Sequence, residues 1–504
     1  MKSKCVFSYF ITENADQVDI SSLELPIKKS FGKYDIYTDD NTPYISFFDG
    51  NIECAIFGLS VNVITGESDN VAKEIMQKCR SSDDVVEYEK QLGGKYILLF
   101  RNGEHYHIQG DATCSIPIFY NTDGEFVCSS NYQYIKKAKN YPEDAAFSEI
   151  RKNGDISQAM PYDITPCREI KQLIPNHYLD VNSRASVRFI NTEIKQKSLL
   201  VETAVDAVMP MIEKLLSFYL QRFKIYCPIT SGRDSRVVLA FLLKSRADFS
   251  CYTIKHPEHN EKTQDIVVPI SLCKKVGIAH KTVEDVVVSD DLKSEMDMIL
   301  GEGNYSQRTL RIAQTIQTYF GDGAIINGDI IGQVGKCSLH RDIPSVFATP
   351  SYFRCKLHNY SSGAKKQLKY WLNEIKSSGE KVNTFDLFSV ENRMGRWAGQ
   401  TSALYNSIGQ VNLNIFNSRS IIYVWTAVDR SKRKKSLLHI AMIQKLACEL
   451  LSVPFEKDKK KIMQISKSNG ITYLISSYAK YFIEKRLFSY KEKRSSDEKN
   501  INSK

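Results

Sequence analysis

Between residues 5 and 129, short runs rich in β-branched and aromatic residues alternate with turn residues, the pattern of half-buried strands. Residues 5–11, 34–38, 43–48, 52–57, 96–101, 105–109, 116–120 and 125–129 are predicted strands. Asn102-Gly103 and Asp123-Gly124 supply the turn chemistry of tight hairpins. One helix is expected over 70–79, so residues 1–145 read as a mainly antiparallel α+β domain. Residues 146–200 are less regular, and 170–180 is strand-like, a bridge between two domains. From residue 201 the period changes. Helices are expected over 202–223, 235–244, 265–276 and 309–319, and apolar strands over 224–229, 249–254, 280–283 and 324–326. That β-α-β alternation implies a parallel sheet covered by helices. The remainder to residue 484 reads as mostly helical, and 485–504 as a disordered basic tail.

Length and composition add bounds. A chain of 504 residues, 42% hydrophobic, can form two or three cored domains. The formal net charge is +10, with much of the excess in Lys457, Lys459, Lys460, Lys461 and the tail. A run of that kind reads as solvated surface, and no aromatic platform interleaves it, which argues against nucleic acid. None of the twelve cysteines forms a C-x-x-C pair, so neither a zinc site nor a redox pair is expected. They read as reduced, buried thiols. No apolar run reaches membrane-spanning length, and the stretch 5–11 is too short for a signal peptide. A cytoplasmic protein is expected. His105 and His107 share a strand face but lack a third ligand and read as non-metal. Glu391, Arg393, Arg396 and Trp397 form a charged helix read as structural ion pairing, with Arg396 as a residue that could face a substrate.

The most informative stretch is 225–240. An apolar strand runs into Thr230-Ser231-Gly232-Arg233-Asp234-Ser235, which opens a helix. A helix start presents unpaired N–H groups and a partial positive charge, a setting for phosphate. Gly232 permits close backbone approach, Thr230, Ser231 and Ser235 bring hydroxyls, and Asp234 is a hard oxygen ligand suited to Mg²⁺. An ordinary capped helix is the plain alternative. The loop lacks the Gly-Lys-Ser/Thr ending of a Walker A motif.

This loop resembles the PP-loop of asparagine synthetases, Ser-Gly-Gly-x-Asp-Ser, departing at Thr230 and Ser231. Leu92-Gly93-Gly94-Lys95-Tyr96, Gly110-Asp111-Ala112-Thr113-Cys114 and Ser129-Ser130 are similar to the same family's glutaminase domain, and 170–180 to its interdomain strand. Together the matches span roughly 50–340. The resemblance implies an α+β N-terminal Ntn-hydrolase-like sandwich, then an α/β PP-loop (HUP-like) domain with a parallel sheet and a helical C-terminal extension. The divisions expected are 1–145, 146–200, 201–484 and 485–504.

The family's glutaminase nucleophile is a cysteine at residue two. Here residue two is Lys2, with Cys5 the nearest thiol, so glutamine hydrolysis is not expected. Branches without it close β-lactam rings or lasso peptides. The resemblance thus implies an ATP- and Mg²⁺-dependent amide-forming ligase. A small-molecule or peptide carboxylate would be activated as an acyl-adenylate and attacked by ammonia or a substrate amine, with a homodimer as a candidate assembly. Thr230, Ser231, Gly232, Asp234, Ser235, Thr253 and Gly328 are the expected ATP and pyrophosphate contacts, and Asp234 and Asp329 the metal ligands. The acidic loop, Asn327-Gly328-Asp329, is eroded, with Gln333 where a second acid is expected. Glu302 is a candidate base, and Lys457 and Lys459 are candidates to stabilise transition-state charge. The alternative is a non-catalytic relative that binds a nucleotide or a partner.

Overall fold

The computed structural model describes residues 5–15, 23–145, 160–189, 198–302, 304–337 and 345–455, with 475, 476, 478, 479 and 482. Lys457, Lys459 and the 485–504 tail lie outside the described residues. The chain is mixed α/β, with two antiparallel sheets ahead of a parallel one.

The first sheet holds β1 (Tyr9–Thr12), β2 (Ile27–Phe31), β3 (Tyr34–Thr38), β8 (Phe119–Asn121), β9 (Val127–Ser129) and β10 (Ile170–Gln172), in the order β10-β8-β9-β1-β3-β2. The second holds β4 (Tyr44–Phe48), β5 (Ile52–Asn62), β6 (Leu92–Asn102), β7 (His105–Gly110), β11 (His177–Asp180) and β12 (Ala185–Arg188), in the order β12-β11-β7-β6-β5-β4. Their inner faces share one core, with Tyr9 edge-on to Phe57 and Tyr34 edge-on to Tyr106. The outer face of the second sheet is covered by the Val71–Lys78 and Ser82–Glu89 helices. Strand β5 is therefore buried along its whole length, and its pairing with β6 carries it past the predicted end at 57 to Asn62. The Tyr132–Lys139 helix covers the outer face of the first sheet.

Gly94 shows how tightly β6 crosses β5. Its φ is +138°, and a Cβ there would lie 2.0 Å from the Leu59 carbonyl oxygen. The predicted single stretch 170–180 is two strands. Asn176, at φ +64°, turns the chain so that β10 pairs with β8 and β11 with β7, one in each sheet. The segment read as a bridge is thus built into the sandwich.

The parallel sheet consists of β13 (Ile225–Pro228), β14 (Phe249–Lys255), β15 (His280–Glu284), β16 (Ala324–Ile326) and β17 (Val411–Leu413), ordered β15-β14-β13-β16-β17. The predicted strands match the first four. Helices Val201–Leu220, Asp234–Ser245, Gln264–Lys275 and Gln307–Phe320 fall where expected. Beyond β16 come π-helical turns at Ile331–Gly335 and Phe388–Ala398. Among the described residues, no helix is long and apolar enough to cross a membrane.

The two halves meet along a buried polar seam. Lys95 Nζ donates to Ser402 Oγ (2.9 Å) and Asn406 Oδ1 (2.8 Å). Asn417 Nδ2 donates to Gly94 O (2.6 Å) and Asp111 Oδ1 (2.9 Å). Arg419 Nε lies 2.6 Å from Glu89 Oε2, both side chains almost fully buried.

Candidate functional site

In a parallel sheet, ligands bind beyond the carboxyl ends of the strands where strand order reverses. The chain leaves β13 toward β14 and β15, then returns to β16 on the other side of β13. The reversal therefore lies between β13 and β16. The loop after β13 is 230–233, and the loop after β16 carries Gly328 and Asp329. A cavity of about 450 Å³ opens at this point, lined by Thr230, Tyr252, Asp265, Ile325, Asp329 and Tyr405 among others. That volume falls in the range of small-molecule sites.

Asp234 is the first residue of its helix. Gly328 packs directly on it, since a Cβ at Gly328 would lie 3.0 Å from the Asp234 carbonyl oxygen. Gly332 is as close to its carboxylate, with a built Cβ 2.8 Å from Oδ2. Glycine at these two positions lets the acidic loop seat against the 230–233 loop. Asp234 Oδ1 lies 2.9 Å from His439 Nε2, and Oδ2 lies 3.5 Å from Lys336 Nζ. Burial opposes ionisation of Asp234, but the hydrogen bond to His439, with Lys336, outweighs it and holds the carboxyl below its ordinary value, while burial holds the His439 imidazole below its own. Asp329 is open to the water of the cavity yet ringed by protein. Desolvation, reinforced by the Asp234 carboxylate, pushes it up to about 6. The structure thus brings the two expected metal ligands into electrostatic contact.

The loop itself is knitted internally. Ser235 Oγ lies 3.2 Å from both the backbone N–H and Oγ1 of Thr230. Gly232 N–H donates to Thr230 Oγ1 (3.2 Å). Ser231 donates from its N–H (2.9 Å) and its Oγ (2.5 Å) to Asp265 Oδ1. A carboxylate of the protein thus occupies two of the loop's donors. Thr253 lines the cavity, but its buried hydroxyl donates to Ile229 O (2.8 Å) and lies 3.0 Å from His280 Nε2, holding the loop's base. Glu302 is exposed at the turn after the Asp290–Leu300 helix. The preceding Gly301 packs against Tyr132 and Gln133, and Glu302 is not brought to the cavity lining.

Several neighbours were not foreseen: Asp265, Lys336, His439 and His256. His256 follows β14 and lines the cavity, with Nδ1 2.8 Å from the buried Asp285, itself paired with Arg311 at 3.0 Å. Arg236 Nη1 and Nη2 donate to the carbonyls of Leu450, Val453, Pro454 and Ser231, and Phe455 lies under both Arg233 and Arg236. The chain is thereby anchored beside the loop just before Lys457 and Lys459. A smaller chamber of about 60 Å³ adjoins the cavity and shares Asn327, Asp329, Thr401 and Asn412 with it. Its far wall is Lys95, Thr113 and Ser115 of the N-terminal sandwich. Burial pushes the Lys95 ammonium down to about 7, against the pull of Asp111.

Among the described residues, no group of three or more His, Cys, Asp and Glu side chains could hold a metal by itself. Mg²⁺ needs less of the protein, one or two carboxylates completed by phosphate oxygens and water. Asp234 and Asp329 fit that requirement as hard oxygen donors.

No family model matches the sequence, and no curated relative does. Similar solved structures exist. An NMN synthetase from Francisella tularensis aligns over 36% of this chain and 75% of its own, at 12% identity and a TM-score of 0.19. A glutamine PRPP amidotransferase from B. subtilis aligns over 58% and 65%, at 12% identity and a TM-score of 0.23. A glutamine-dependent NAD⁺ synthetase from Acinetobacter baumannii aligns over 50% and 52%, at 8% identity and a TM-score of 0.19. At such scores these likenesses carry no argument about activity.

Proposed function

We propose that this chain is an ATP-dependent amide-forming ligase that activates a carboxylate as an acyl-adenylate and has no glutaminase of its own. One observation carries the reading. The loop of Thr230, Ser231, Gly232 and Ser235 meets the carboxylates Asp234 and Asp329 at the strand-order reversal, where Thr230 and Asp329 line a cavity of small-molecule size.

In this reading the loop and the start of the Asp234–Ser245 helix hold the pyrophosphate of ATP, and Asp234 and Asp329 hold its Mg²⁺, which would neutralise phosphate charge. Thr253 and Gly328 shape the walls. The substrate carboxylate attacks the α-phosphorus and pyrophosphate leaves. Ammonia or an amine then attacks the acyl carbon, giving the amide and AMP. Lys457 and Lys459 keep the role the family resemblance implies, whereas Glu302, away from the cavity lining, is given none. Burial, with Asp39 beside it, pushes the Cys5 thiol up to about 11, which makes Cys5 a poor substitute for the missing nucleophile. A nucleophile at that value is almost wholly protonated at neutral pH.

A second reading has its own observation. Asp265 occupies Ser231, and Asp234 is engaged by His439 and Lys336, as in a protein that binds a nucleotide or partner without turnover. Calorimetric titration of Mg·ATP into wild type and Asp329→Asn tests the first. It expects saturable binding that weakens about tenfold or more in the variant. Absence of binding to folded wild type would refute it. Binding without release of AMP across a panel of carboxylates and amines would favour the second.

A further inference from the structure

Four arginines are among the largest fully buried side chains: Arg236, Arg396, Arg419 and Arg433. Buried charges are ordinarily paired. Arg419 pairs with Glu89 and Arg433 with Asp386, each at 2.6 Å. Arg236 has four carbonyl acceptors on its two terminal nitrogens and an aromatic ring on its face.

Arg396 is different. It is 1% exposed, on the Phe388–Ala398 π-helix, a feature frequent at functional sites. Its Nε donates to Met160 O (3.0 Å), Nη2 to Ile164 O (2.6 Å) and Nη1 to Gln172 Oε1. All three acceptors are neutral, and among the described residues no carboxylate pairs with it. Burial pushes its pKa down to about 10, with only the more distant Asp163 opposing. A guanidinium carries five N–H groups. Two are left over, one on each terminal nitrogen, which suits the two oxygens of a carboxylate.

Arg396 lines a cavity of about 50 Å³ where the first sheet meets the parallel-sheet half of the chain. The walls are mainly apolar: Pro117, Phe119, Met160, Pro166, Leu300 and Ala403. Polar neighbours are already engaged with the protein. Thr165 Oγ1 donates to Cys167 O and Ile170 O, Asn131 Nδ2 to Ile299 O, and Ser130 Oγ accepts from Tyr9 N–H. What remains is one uncompensated cation at the end of an apolar chamber. The space holds about four water-sized groups, the size of acetate or propionate.

We propose that this cavity binds a small monocarboxylate, its two oxygens on Arg396 and its short apolar body against Phe119, Met160, Leu300 and Ala403. The site is separate from the nucleotide cavity and does not depend on its function.

Calorimetry and thermal melts of the full chain with acetate and propionate test this, with chloride and sulfate at matched ionic strength. Wild type should bind propionate saturably and melt higher in its presence. Ala403→Leu fills the chamber without touching Arg396 and should weaken binding about tenfold or more. Arg396 ties three segments together, so Arg396→Met is read only if it folds, and it should then lose binding. Equal effects of chloride or sulfate, unaltered binding by Ala403→Leu, or no saturable binding would each overturn the proposal.

Discussion

Lys95 gives the sharpest quantitative prediction. The residue is 2% exposed, in the seam between the N-terminal sandwich and the parallel-sheet half, with burial holding its pKa at about 7 against an ordinary 10.5. The unfolded chain keeps this proton up to about 10.5, while the folded chain releases it near 7. Between those values the unfolded state binds more protons, so stability rises with pH and falls again as pH drops toward 7. One proton of difference corresponds to about 1.4 kcal/mol per pH unit. Lys95→Met removes the titrating group and keeps most of the apolar stem. Urea melts of both proteins at pH 7.5, 8.5 and 9.5 should therefore diverge by roughly that amount per unit, wild type gaining on the variant. Parallel curves would show that the contacts to Ser402 and Asn406 keep the ammonium charged at its ordinary value, refuting the reasoning.

Asp265→Asn should release the Ser231 donors from a competing charge and tighten Mg·ATP about threefold to tenfold by calorimetry; weaker binding would mean that Asp265 itself holds the ligand. Arg419→Met leaves Glu89 buried without its partner and should cost about 3–5 kcal/mol in denaturant melts, with the loss partly recovered when Glu89→Gln is added. Gly94→Ala forces a side chain onto a φ of +138° with its Cβ against Leu59 O, and should lower the yield of folded protein or its melting temperature, by more than about 1–3 kcal/mol of backbone strain alone.

The first four strands of the parallel sheet were legible because apolar runs between helical periods leave little choice of assignment, whereas β17, three residues within a stretch read as helical, was not. Nor was strand β2, because Ile-Lys-Lys-Ser-Phe is an edge strand with Lys28, Lys29 and Ser30 exposed. The Ser82–Glu89 helix did carry a signal, Ser81 capped reciprocally by Asp84, that could have been read. At the candidate site, Asp234 and Asp329 were singled out from short motifs. His439 was beyond reach, being 205 residues from the carboxylate it contacts, and Asp265 looked like any acidic residue in a first helical turn. Glu391 fits the ion-pairing expectation, 2.7 Å from Arg188 and bonded to Trp371 Nε1 at 2.6 Å. Arg396, from the same run, has no such partner among the described residues, a difference that only the packing reveals.

The anchoring of residues 450–455 on Arg233 and Arg236 has a practical use. Cys448 is the one exposed thiol of twelve, at the start of the Cys448–Ser452 turn whose Leu450 carbonyl Arg236 grips. A maleimide fluorophore should therefore attach there selectively, with no engineering of the chain. Because the dye would ride on a segment clamped to the loop's own arginines, its emission offers an optical readout of whether that loop shifts when Mg·ATP is added.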